Sequence, residues 1–97
     1  MTIDESTKRA FQRYKEMLEK YPPKEHTDNF SALQNRDKLA HCHWMCDRMI
    51  SPETDHYSLD KKSRWLGFIQ GVLIMCNLTT IEKERNITRP WFSNKGE

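Results

Sequence analysis

The chain has no excess of one charge and no long apolar run. Its 97 residues hold 16 basic and 14 acidic side chains, for a formal charge of +2. Dedicated nucleic-acid binders show a basic excess or stripe, so nucleic-acid binding is disfavoured. The longest apolar stretch is about twelve residues, short of the ~18 that span a bilayer, so no membrane partner is expected. Residues 1–20 are charged and polar, unlike a secretory leader. Three cysteines, an odd number, do not suit a disulfide framework. Together these predict a reduced cytoplasm and make the Asn-X-Thr sequons at Asn77 and Asn86 chance matches. With three glycines in all, no phosphate-cradling loop can be drawn. No run alternates long enough for a strand, and there is no repeat or low-complexity tract.

What is present is a small core under a polar surface. Hydrophobic residues are 36% and charged residues 31%, toward the polar side of globular chains. Three Trp, three Tyr and four Phe argue against disorder. A chain this short buries a modest fraction of its surface, so a homo-oligomer is expected to supply the missing stability.

The periodicity predicts a single all-α domain, a small bundle of three main helices and a short C-terminal one, at about 3–21, 28–50, 59–77 and 80–88. Thr2 to Glu5 has capping-box spacing. Ala10, Phe11, Tyr14, Met17, Leu18 and Tyr21 then form one stripe, which Pro22-Pro23 ends. Thr27 or Asp28 can cap the second helix, whose face carries Phe30, Leu33, Leu39, Cys42, His43, Cys46, Met49 and Ile50. Gln34–Lys38 is wholly polar, so a bend or break near Asn35 fits the pattern. Ser51-Pro52 reads as a stop. Ser58 or Asp60 can cap the third helix and Asn77 can end it in the left-handed region. Thr79–Glu82 repeats the capping-box spacing, and Pro90 is expected to close the fourth helix.

The third helix carries the most information. Between Trp65 and Cys76 it is apolar around nearly its whole circumference, yet Gly67 and Gly71 stand four apart. Each glycine costs a helix roughly 1 kcal/mol relative to alanine. The pair therefore predicts close approach by another helix, a second subunit or a ligand. Arg64 shares the face with both glycines, and Gln70 borders the same apolar wall.

His41-Cys-His-Trp-Met-Cys46 resembles metal-ligand density at first. Zinc needs about four converging ligands, and one helix turn supplies only Cys42 and Cys46. Paired C-x2-C knuckles are absent, so these cysteines are weak metal candidates and read as core residues. His43 adjoins Cys42, but neighbouring helical residues point about 100° apart, which does not build a nucleophile–base pair. No enzyme activity and no cofactor are expected. Trp44, Trp65 and Trp91 with His43, Arg64 and Arg89 form an aromatic-plus-cation set. Such sets stack bases or anchor protein interfaces, where Trp and Arg are enriched.

Three segments, His41–Cys46, Lys62–Leu73 and Thr88-Arg-Pro90, together resemble small accessory proteins of tailed bacteriophages, mostly uncharacterised, over about residues 35–92. That resemblance implies an infected bacterial cytoplasm and a role in host takeover or counter-defence. Ser63–Leu66, Gln70-Gly71 and Arg89-Pro90 are also similar to the helical hairpin of phage nucleotide sponges that oppose CBASS and Thoeris immunity. This second likeness implies a symmetric oligomer holding cyclic nucleotides without cleaving them. The leading expectation is a non-catalytic protein that binds and blocks a host protein, with Arg64, Trp65, Gly67, Gln70, Gly71, His43, Trp44, Arg89 and Trp91 as contact residues. The alternatives are a cyclic-nucleotide sponge and a nucleic-acid binder using Lys8, Arg9, Arg13 and Lys15, which are interleaved with acidic residues as on an ordinary solvated face.

Overall fold

A computed structural model describes residues 3–92, with side chains from 4 to 87. The chain is an all-α bundle of four helices, with no strand among the described residues: α1 (Ile3–Met17), α2 (Asn35–Ile50), α3 (Leu59–Met75) and α4 (Ile81–Phe92). Two short 3-10 turns, Phe30–Ala32 and Pro52–Thr54, stand before α2 and between α2 and α3.

The apolar stripe of α1 places Ala10, Phe11 and Tyr14, with Leu18 just beyond, in the core. The helix does not reach Tyr21. From Leu18 on the bonds shorten to three-residue spacing, Glu19 N to Glu16 O at 3.3 Å and Tyr21 N to Leu18 O at 2.9 Å. Pro22 disfavours α geometry in the residue before it, so the chain leaves the helix by tightening. The capping expectation at Thr2 lies outside the described residues.

The expected second helix from residue 28 is two pieces. Asn29, rather than Thr27 or Asp28, caps the turn at Phe30–Ala32, its carboxamide oxygen accepting from Ser31 N at 3.3 Å. Leu33 is then extended at φ −71°, ψ 152°, and α2 begins only at Asn35 with no side-chain bond from its N-cap, Gln34. Gln34–Lys38 has no apolar residue to hold an upstream turn on the core, so the helix breaks where that anchorage fails. The connector is instead tied to α2 by polar bonds. Lys24 N donates to Ala40 O at 3.2 Å, His26 N donates to His41 Nδ1 at 3.0 Å, and His43 Nδ1 lies 2.7 Å from Tyr21 O.

Cys42, Cys46, Met45, Met49 and Leu39 form the α2 side of the core, and Ile69, Val72 and Leu73 the α3 side. Thr54 finishes α2 by donating its hydroxyl to Arg48 O at 2.6 Å. Ser58 caps α3 by accepting from Lys61 N at 3.1 Å. Asn77, at φ 64°, ends it: Leu78 N reaches Leu73 O at 2.9 Å and Asn77 N reaches Ile74 O at 3.1 Å, which satisfies two terminal carbonyls.

Thr80, not Thr79, caps α4, its hydroxyl accepting from Lys83 N at 3.1 Å. The fourth helix also continues through Pro90 to Phe92. In the last turn a proline forfeits a single backbone bond, which nothing further along the helix depends on. At the other end of the bundle Lys62 is only 7% exposed. Its ammonium donates to Asp4 at 3.2 Å and to Asp55 O at 3.3 Å, clamping the start of α1 and the Pro52–Tyr57 loop onto α3.

Candidate interaction surface

Each side of α3 meets something different. Ile69 and Leu73 point into the core and are fully buried. Trp65 and Phe68 face the seam with α2 and the Phe30–Ala32 turn. Arg64, Gly67 and Gly71 point outward, as their spacing requires. A methyl group placed on either glycine would meet no atom within 4 Å. Among the described residues no helix fills the gap, so in-chain packing, one of the expected reasons for the pair, does not operate there. Apolar side chains flank the bare backbone: Phe68 is 42% exposed and Met75 81%. Arg64 holds Asp60 one turn back at 3.2 Å, with both side chains largely in solvent, where such a pair contributes little.

Gln70 leaves the helix on another side and does not join Arg64. Its amide donates to the Tyr14 hydroxyl at 3.1 Å, the outer member of a network centred on Glu84. That carboxylate, in α4 and 1% exposed, accepts from Arg13 Nη1 and Nη2 at 2.7 and 3.0 Å, from the Tyr14 hydroxyl at 2.5 Å and from the Thr79 hydroxyl at 2.5 Å. Burial alone would raise its pKa, but the hydrogen bonds from Arg13, Thr79 and Tyr14 overcome that and hold it down to about 2. Burial, then the hydrogen bond to Glu84, push the Tyr14 phenol well above its usual range. The network joins α1, α3 and α4 and leaves no buried acceptor for a ligand. Nothing local in Ile81-Glu-Lys-Glu-Arg85 distinguishes Glu84 from the exposed Glu82.

A row of half-buried rings runs along the α2–α3 seam. Phe68 meets Phe30 edge-on at 5.1 Å, Phe30 meets His41 at 5.5 Å, His41 meets Trp44 at 5.3 Å and Trp44 meets Trp65 at 6.1 Å. Lys61 sits 5.9 Å from the centre of the Trp65 ring. The structure thus brings together Trp44 and Trp65 from the expected set and adds Phe30, His41 and Phe68. His43 is buried and occupied by the Tyr21 carbonyl. The threefold spacings His41–Trp44 and Trp65–Phe68 were the available signal for the row. Arg89 and Trp91 lie outside the described side chains. At the Phe30 end opens a cavity of about 330 Å³ between that turn, Asn35 and Lys38 of α2, and Val72 and Met75 of α3.

Cys42 and Cys46 are fully buried in the core. Burial, then the neighbouring Cys76, push the Cys42 thiol up to about 12, and burial raises Cys46 further. Metal ligation needs thiolates, and no group of three His, Cys, Asp or Glu side chains converges among the described residues. The basic residues of α1 are engaged within the chain: Lys8 with Asp55 at 2.9 Å, Arg13 with Glu84, and Lys15 with Asp47. No described helix is long and apolar enough to cross a membrane. Comparison with protein-family models, curated proteins and solved structures finds no match.

Proposed function

We propose that this chain is a non-catalytic, phage-type binding protein that pairs with a second copy through the outer face of α3 and, so paired, binds and blocks a host protein. One observation carries the reading. Two outward positions on successive turns of α3 lack side chains and touch nothing, while exposed Phe68 and Met75 stand beside them. Glycine at both sites costs the isolated helix about 2 kcal/mol in sum, and no contact among the described residues offsets it.

The outer face of α3 is self-complementary. No charge interrupts α3 from Trp65 to Met75. An antiparallel pairing centred between Ile69 and Gln70 sets Phe68 over Gly71 of the second copy, and the reverse, so each ring fills the space that a side chain would have taken. Arg64 then falls beside the terminal carbonyls of the opposite α3, whose last turn contains no basic residue, a favourable arrangement for the helix dipole. Such a contact is isologous and closes as a dimer. The blocking role rests on the phage resemblance and on a sequence without a nucleophile–base pair. Arg64 and Gln70 diverge, and no observation favours a cyclic-nucleotide site built on them.

Sedimentation equilibrium tests the pairing. Wild type is expected at the dimer mass, and Gly71→Leu or Met75→Lys at the monomer mass with unchanged helical circular dichroism. Expressed in a bacterial host, wild type should slow growth and Gly71→Leu should not. A monomeric wild type, or a paired Gly71→Leu, overturns the reading.

A further inference from the structure

A second cavity, of about 340 Å³, lies on another part of the molecule, where the end of α1 and the connector meet the first turns of α2. Lys20, Lys24 and Arg36 line it, with Asp37 as its only acidic member. The lining thus carries two of the net positive charges of a chain whose total is +2. Six other cations, Lys8, Arg13, Lys15, Arg48, Lys62 and Arg64, each hold a carboxylate within 4 Å, whereas Lys38, Lys61, Lys83 and Arg85 lie singly elsewhere on the surface and do not line this cavity. Lys20, Lys24 and Arg36 hold none among the described residues.

Two further observations point the same way. His26 also lines the cavity, and its Nε2 is buried without a hydrogen-bond partner. Buried polar atoms are nearly always satisfied, so a native orphan asks for a missing partner. The first turn of α2 opens here as well, and Gln34 offers its amides no side-chain cap. Asp37 N and Lys38 N bond back to Gln34 O at 3.0 Å, which leaves the Asn35 and Arg36 amides and the helix dipole to favour a negative group.

From these we infer that the α1–α2 junction is a binding site for a small organic phosphate. The phosphate would lie among Lys24, Arg36 and the first amides of α2, within reach of the His26 Nε2, and the organic part beside Tyr21. The volume suits a small organic ligand and exceeds what a bare phosphate fills. Three cations favour a group with two negative charges over a monocarboxylate. The site does not use the outer face of α3 and stands independently of the pairing proposed above.

Isothermal titration of the whole chain at constant ionic strength tests it, with adenosine monophosphate and inorganic pyrophosphate as probes. Saturable binding is expected, tighter for the organic phosphate. Lys24→Gln with Arg36→Gln changes only exposed side chains and should leave the fold and the solution mass intact while weakening binding about ten- to a hundredfold. His26→Phe removes a nitrogen that bonds nothing in the free protein, so it should weaken binding without lowering the melting temperature. Lys83→Gln, on α4, should bind as wild type does. Absence of saturable heat with both probes, or an equal loss in Lys83→Gln, overturns the site while leaving α3 pairing untouched.

Discussion

Two sides of one helix behave in opposite ways. Where Gln70 leaves α3, every polar group is matched: Gln70 to Tyr14, and Tyr14, Arg13 and Thr79 to Glu84. About a quarter-turn away, a side chain on Gly67 or Gly71 would meet nothing within 4 Å among the described residues. The first side spends a charge in the interior and satisfies it completely, which makes the α1–α3–α4 junction costly to disturb. The second leaves backbone bare beside exposed Phe68 and Met75, the face through which we propose that two copies pair. The contrast separates residues that hold the monomer together from those free to meet another molecule.

The largest way to break this contrast is on the sealed side. Glu84→Ala leaves Arg13 and the two hydroxyls without their acceptor and is expected to cost about 3–5 kcal/mol. That is a large share of the ~5–15 kcal/mol of a typical domain, and thermal unfolding should fall by ~4–8 °C for each kcal/mol. An unchanged melting temperature would show that the network contributes nothing.

Acid reaches the same site next. The folded-state pKa of about 2 lies below the ordinary 4.5, so the contribution of Glu84 is complete above about pH 4.5 and disappears as pH falls through about 2. At 1.36 kcal/mol per unit the loss approaches ~3 kcal/mol. Denaturant melts of wild type and Glu84→Gln should therefore converge toward pH 2 and separate above pH 5. Parallel curves would refute the assignment.

The smallest effect sharpens the open side. Gly67→Ala and Gly71→Ala meet no atom within 4 Å, so each should raise monomer stability by about 0.4–1 kcal/mol. The double variant should at the same time pair more weakly in sedimentation. If it folds and pairs as wild type does, close approach is not what the glycines are for.

The stripe of Ala10, Phe11, Tyr14 and Leu18, the Ser58 cap and the Asn77 terminator were all legible because each depends on neighbours within a turn or two. The break before Asn35 was visible as a polar run but not as a separate 3-10 turn, since its position depends on where α2 loses its grip on the core. Glu84 was not legible: its partners Arg13 and Tyr14 are 71 and 70 residues away, and its own neighbourhood reads as solvated helix. The aromatic row was half legible. Helical spacing puts His41 with Trp44, but only packing decides that His41 joins the rings while His43 turns to the Tyr21 carbonyl. The basic cavity needed the connector folded back on α2, which no local pattern announces.

The two sulfurs sealed between α1, α2 and α3 have a practical consequence. With Cys42 and Cys46 shielded and their thiols driven far from ionisation, an alkylating reagent at neutral pH can modify them only when the bundle comes apart, whereas the half-buried Cys76 is not shielded to that degree. The protein thus carries its own clock for core opening, read by mass spectrometry without any engineered label.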